Sequence, residues 1–220
     1  MIKLIIYLTS SLLSILCFNQ INEILLNWNF SWTISKITPY ILLVIIGILI
    51  SFEISNKLKS QKKTIKYFIL LLVLPSPFII GFGLNPIYQG DFSKNGDKLK
   101  SSRADENFNE NGLSVLTIPG CHFCFESIEK LKIIKKRNPN LSITFIVCSR
   151  DKKSLIAYKK EINNAFHLKL SSNPDKLAEL AQMRFPVFLR IRDKKPIYRW
   201  SNDQFGVRAI DLLESLKNNL

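Results

Sequence analysis

The apolar residues of this chain gather in its first 90 positions. No charged residue interrupts Leu4 to Asn22, Ile37 to Phe52 or Tyr67 to Gly90, whereas every long segment beyond Asp91 is densely charged. About 20 consecutive apolar residues cross a hydrocarbon core. The pattern therefore predicts three transmembrane helices, at about 4–22, 37–54 and 67–84, within a helical region of residues 1–86. Pro39 falls in the opening turn expected for the second span, where a missing amide hydrogen costs little. Pro75 and Pro77 predict a kink in the third. No small-residue cleavage pattern follows the first apolar run, so it reads as an uncleaved helix rather than a signal peptide.

A polar stretch from 87 to 111 has the composition of a linker. Beyond it the pattern changes to alternating short elements. "LSVLTIP" (113–119) and "LSITFIVCS" (141–149) are compact, β-rich apolar runs that read as buried strands, and "FHLKLS" (166–171) alternates as a half-exposed strand does. Helical spacing of Phe125, Ile128, Leu131 and Ile134 predicts a helix over 121–136, stopped by Asn138-Pro139. Further helices are expected over 151–165, with Asp151 as its cap, over 174–183, opened by Pro174, and at the C-terminus through Val207, Ile210, Leu213 and Leu216. "PVFLRIR" and "PIYRWS" flank Asp193-Lys194-Lys195 as a β-hairpin. Helices joining neighbouring strands favour parallel pairing and the hairpin requires antiparallel pairing, so residues 112–220 predict an α/β domain with a mixed central sheet covered by helices.

Charge fixes the orientation expected of the spans. The formal net charge is +14, and Lys57, Lys59, Lys62, Lys63 and Lys66 crowd the loop between the second and third spans, which the positive-inside rule keeps cytoplasmic. The N-terminus is then expected inside and the α/β domain outside, on the periplasmic side of a bacterial cytoplasmic membrane. The basic clusters of that domain lack any nucleic-acid-binding module, so no nucleic-acid partner is expected. A solvated face or attraction to anionic lipid is the more natural reading of these charges.

The candidate chemistry is in "TIPGCHFCFESIEKLK" (117–132), where Cys121 and Cys124 stand at the junction of a predicted strand and helix. A thiolate, not a thiol, attacks in disulfide exchange, and free cysteine with a pKa of about 8.5 is mostly protonated at neutral pH. The unpaired N–H groups and dipole of a helix N-terminus favour negative charge on Cys121. His122 adds a donor beside it. Cys124, three residues on, returns to nearly the same helix face and is placed to resolve a mixed disulfide. The pair could alternatively be a static disulfide or two buried small residues. Cys121, His122 and Cys124 could also serve as ligands of a copper or zinc carrier. Cys17 and Cys148 read as packing residues, His167 as a surface residue, and Glu126 as a complement to the helix dipole.

Residues 112–220 resemble the thioredoxin superfamily. The resemblance rests on a buried strand leading into Cys-x-x-Cys, that motif opening a helix, Pro186 in "MRFPVFLRI" before the closing hairpin, and a final helix. It implies a protein-disulfide oxidoreductase that uses the Cys121–Cys124 dithiol/disulfide and needs no other cofactor or metal. Pro186 would be cis, offering with Phe185 a backbone ledge to substrate, and His122-Phe123 would tune the redox bias. The linker and the outward topology make the chain resemble the membrane-anchored, extracytoplasmic members. The implied partners are cysteine-containing proteins outside the cytoplasm, a membrane or periplasmic redox partner, and the bilayer. A non-catalytic thioredoxin-fold adaptor or metal carrier is the alternative. The familiar Trp before the motif and Gly-Pro within it are replaced here by Gly120 and His122-Phe123.

Overall fold

A computed structural model describes residues 2–59, 61–87, 89–92, 96–99, 108 and 111–215. The chain forms two compact units that divide between Tyr88 and Gln89.

The N-terminal unit contains α1 (Ile2–Leu16), α2 (Phe18–Asn27), α3 (Trp32–Lys57), α4 (Lys63–Val73) and α5 (Ser76–Leu84). The single helix expected over 4–22 is instead a pair bent by 69° at Cys17. The apolar run ends there, and Asn19, Gln20, Asn22 and Glu23 follow. α3 starts at Trp32 because Ser31 caps it, its Oγ accepting from Ile34 N at 3.2 Å. Pro39 consequently lies inside this helix rather than in its opening turn. The run 63–84 is interrupted at Leu74-Pro75, with Pro77 in the first turn of α5. Two of the helical segments, 32–57 and 63–84, are long and apolar enough to cross a membrane, or three if the bent pair counts as one span.

Small residues set how closely these helices approach. A Cβ on Gly47 would lie 2.3 Å from the Leu74 carbonyl oxygen, and one on Gly81 would lie 2.3 Å from Leu43 Cδ1. At Gly47 the missing side chain lets two helices approach at the backbone, and at Gly81 it leaves room for the Leu43 side chain. The outward faces remain apolar, with Ile5, Leu12, Ile45, Phe68 and Leu72 among the exposed side chains.

The C-terminal unit comprises α6 (Gln89–Phe92), β1 (Asp97–Lys98), β2 (Asn111–Thr117), α7 (His122–Arg137), β3 (Ile143–Val147), α8 (Ser154–Ile162), β4 (His167–Leu170), α9 (Pro174–Leu180), β5 (Val187–Arg192), β6 (Lys195–Ser201) and α10 (Val207–Ser215). Its six-stranded sheet has the order β1-β6-β5-β2-β3-β4. β2, β3 and β4 run parallel, while β5, β6 and β1 are antiparallel to their neighbours. This is the mixed, helix-covered, thioredoxin-like sheet the sequence pattern and the resemblance lead one to expect.

Both faces of the sheet are covered. On one, Leu116, Ile146, Val187, Leu189 and Ile191 pack with Leu177 and Ala181. On the other, α7 buries Cys124, Ser127, Ile128, Leu131 and Ile134, a stripe at helical spacing. Phe125 of α7 stacks on Tyr158 of α8 with ring centroids 4.6 Å apart. Arg137 Nε, 3.2 Å from Glu214 Oε1, ties the end of α7 to α10.

Several details differ from the sequence expectations. Part of the segment read as linker is built into this unit: α6 forms a helical turn, β1 pairs with β6, and Phe108 is buried in the core. Residues 88, 93–95, 100–107 and 109–110 of that segment, and Leu216 of the last helix, lie outside the described residues. Asp151 does not cap α8. Its Oδ1 accepts from Lys153 N at 2.9 Å in a turn that precedes the helix, which begins at Ser154. α9 stops at Leu180, short of the expected 183, because Gln182 and Met183 adopt φ of 51° and 56°.

Candidate active site

β2 delivers the motif. Its last residue, Thr117, is followed by Ile118, Pro119 and Gly120, whose φ of 70° falls in the left-handed region that glycine occupies readily. The chain then enters α7 with Cys121 as N-cap, and the Cys121 Sγ accepts a hydrogen bond from Cys124 N at 3.2 Å. The sulfur thus occupies the position where a helix terminus offers unpaired N–H groups. Cys121 and Cys124 are joined as a disulfide, with Cα atoms 5.2 Å apart.

The two sulfurs occupy different surroundings. Cys121 is partly exposed, whereas Cys124 is fully buried at 0%. His122 and Phe123 are both exposed, and His122 Nε2 lies 3.0 Å from Glu126 Oε1, one helical turn on. Glu126 therefore partners His122 in addition to sitting in the first turns of the helix. Phe123 and Glu126 also border a groove of about 190 Å3 floored by Phe188 and Phe205, whose rings stack 3.8 Å apart.

The Phe185–Pro186 peptide bond is cis. β5 pairs antiparallel with β2 through Leu116↔Val187. Extending that register by one position puts Pro186 opposite Thr117, at the end of the sheet from which the cysteine-bearing turn emerges. Pro186 is buried, and the Phe185 side chain is partly buried against the Leu177/Ala181 cluster, so Phe185 packs into the core rather than presenting a fully open apolar surface.

Behind the motif lies a residue that sequence reasoning missed. Tyr158, 1% exposed, donates its hydroxyl to the Ile118 carbonyl at 2.8 Å and so holds the turn leading to Cys121. Burial pushes its phenol up to about 12; the Thr117 hydroxyl opposes the rise and Cys148 adds to it. Tyr158 lies 37 residues beyond Cys121 in an amphipathic segment. Its large aromatic polar side chain on an otherwise apolar face was the available signal. Cys148 begins the turn after β3, where its N–H donates to the Thr117 carbonyl at 2.7 Å. It carries no disulfide. His167 is exposed on the far edge strand and Cys17 lies in the N-terminal unit, so neither belongs to the site. Among the described residues no group of three or more His, Cys, Asp or Glu side chains is arranged to hold a metal.

No protein-family model matches the chain, and no curated protein sequence matches it. Solved structures similar to it include a secreted disulfide oxidoreductase of Mycobacterium tuberculosis, described as homologous to DsbE of E. coli. The two are 16% identical over 50% of this chain and 82% of that one, with a TM-score of 0.37. A thiol:disulfide interchange protein from Bacteroides sp. is 16% identical over 56% of this chain and 85% of that one, with a TM-score of 0.39. The apo form of the Sco1 protein from Thermus thermophilus is 14% identical over 61% and 98%, with a TM-score of 0.38. Likenesses at this level carry no assignment of activity. By its own strand order, the C-terminal unit is a thioredoxin-like domain with a Cys-x-x-Cys disulfide at the start of its first long helix and a cis-proline at the same end of the sheet.

Proposed function

We propose that the protein is a membrane-tethered thiol–disulfide oxidoreductase that acts on cysteine-containing proteins outside the cytoplasmic membrane. The observation that carries this reading is the asymmetry of the disulfide: Cys121 is the accessible helix N-cap and Cys124 is buried beneath it. In the reducing direction the Cys121 thiolate attacks a substrate disulfide. One substrate sulfur becomes bonded to Cys121 and the other leaves as a thiolate. The Cys124 sulfur then attacks Cys121 Sγ, its proton passing to the departing thiolate, and the Cys121–Cys124 bond closes as two electrons reach the substrate. The reverse sequence oxidises a substrate dithiol. Direction depends on the partner that recharges the pair.

The Phe188/Phe205 groove beside Phe123 offers apolar contact to a substrate side chain, and the backbone before Pro186 offers a ledge to an extended one. The apolar outer faces of the N-terminal helices support anchorage in a bilayer, and the lysines at 57–66 support an inward-facing loop.

Trapping tests the reading. In intact cells, with Cys17 and Cys148 replaced by serine, Cys124→Ser should accumulate mixed disulfides through Cys121. Once those adducts are released with a membrane-impermeant reductant, a membrane-impermeant maleimide should label Cys121 in that variant but not a cysteine introduced as Lys62→Cys. An absence of trapped adducts counts against exchange, and the opposite labelling pattern overturns the orientation.

A further inference from the structure

Arg190 lies on β5, next to the center of the sheet, and is 6% exposed. Its Nε has no hydrogen-bond partner among the described residues. Among the described residues no carboxylate pairs with it: Glu214 is taken by Arg137 and Asp193 lies beside Arg192. Burial and the like charge of Arg192 both push the guanidinium pKa below its ordinary value, so its surroundings disfavour the charge. A guanidinium does not shed its proton near neutral pH. A buried cation without a counter-charge is strongly unfavourable, and a group that supplies one is correspondingly welcome.

The same side chain lines a cleft of about 70 Å3. Asn138, at the C-cap of α7 and 4% exposed, lines it too, and its Oδ1 likewise has no partner among the described residues. Two buried polar groups from separate elements thus border one cleft without satisfying one another. The orientation of an amide is assigned from its hydrogen bonds, and turning Asn138 over would place its NH2 in the same position. Asn140 is exposed and, with Asn111 and Ser142, adds polar groups to the lining. A water molecule occupies about 30 Å3 of liquid, so the space suits a group of a few heavy atoms.

We propose that this cleft binds a small oxyanion, the carboxylate or phosphate group of a ligand, on the fork of Arg190 and the amides of Asn138 and Asn140. Arginine's planar set of donors matches such groups bidentately. The site is remote from the redox motif. Gly112 and Ser142 lie at the starts of the parallel strands β2 and β3, whereas Cys121 follows the end of β2. A strand of this length puts about 20 Å between the two ends. The inference stands whether or not the cysteines exchange electrons.

Calorimetric titration of the full chain in detergent, with sodium phosphate and separately with sodium acetate at fixed ionic strength, tests it. Saturable binding of either anion is expected, phosphate alone indicating a tetrahedral oxyanion and acetate alone a carboxylate. Arg190→Met should weaken binding by about tenfold or more, the scale of a lost charge-assisted pair. Arg190→Lys keeps the charge without the fork and should weaken it less. Asn138→Asp places a carboxylate in the cleft, and should abolish anion binding while raising the unfolding temperature in anion-free buffer. No saturable binding by the wild-type chain overturns the proposal, leaving water as the occupant. Undiminished binding by both Arg190 variants overturns it equally.

Discussion

Tyr158→Phe probes how the fold presents its reactive sulfur. The substitution removes one buried hydroxyl, which donates to the Ile118 carbonyl at 2.8 Å, and leaves the ring stacked on Phe125. Losing a buried hydrogen bond and stranding its acceptor costs about 1–2 kcal/mol, so the variant should be less stable by that amount at neutral pH. The sign reverses in alkali. The folded-state pKa of the phenol, pushed up to about 12 by burial, lies above the ordinary tyrosine value of about 10. Folded protein therefore holds this proton more tightly than unfolded protein. The resulting stabilisation is complete below the unfolded pKa and is lost as pH rises through the folded one. Two pKa units correspond to about 3 kcal/mol. Phenylalanine has no proton to lose, so the stability curves of wild type and variant should cross between pH 10 and 12. Urea unfolding followed by Trp200 fluorescence, in a background where Trp28 and Trp32 are phenylalanine, reads the C-terminal unit. Equal stabilities at neutral pH, or curves that stay parallel through the alkaline range, would refute the assigned role of this hydroxyl.

Other substitutions test the frame around the site. Gly112→Ala should destabilise the C-terminal unit by about 1–3 kcal/mol, since a Cβ there meets the Ser142 carbonyl oxygen at 2.4 Å and the backbone has φ of 147°; a neutral result in urea unfolding would contradict the close approach of β2 to the chain before β3. Leu131→Ala, at a position of 0% exposure, should cost about 2–5 kcal/mol by the same assay. Ser31→Ala removes the cap of α3 and should lower the unfolding midpoint of the N-terminal helices in detergent, by about 1 kcal/mol; an unchanged midpoint would show that helix packing alone fixes its start.

The parts of this protein legible in the sequence are those with a strong local signature. β2 and β3 are continuous apolar runs, α7 repeats its apolar residues at helical spacing, and a tight turn of Asp193-Lys194 joins β5 to β6. The cysteine pair could be placed at a helix start because a glycine and a strand precede it. What stayed hidden depends on tertiary contacts. β1 is a two-residue strand held by pairing with β6 and by the Asp97–Arg199 ion pair, so it has no periodicity to read. Phe108 is buried although its sequence neighbours are polar. Tyr158 joins the site only because α8 packs against α7. Arg190 occupies a position in an alternating strand where an exposed charge would be the ordinary reading, and only the covering of that face by α7 and α10 buries it.

The central claim is that Cys121 attacks and Cys124 resolves. Reduced full-length protein, treated with glutathione disulfide and mapped by peptide mass spectrometry, tests it most directly. The account predicts that Cys124→Ser retains glutathione on Cys121, that wild type releases it and closes the Cys121–Cys124 bond, and that Cys121→Ser reacts far more slowly because Cys124 is fully buried. Wild-type protein that keeps glutathione on Cys121, or Cys121→Ser reacting as fast as Cys124→Ser, would contradict it.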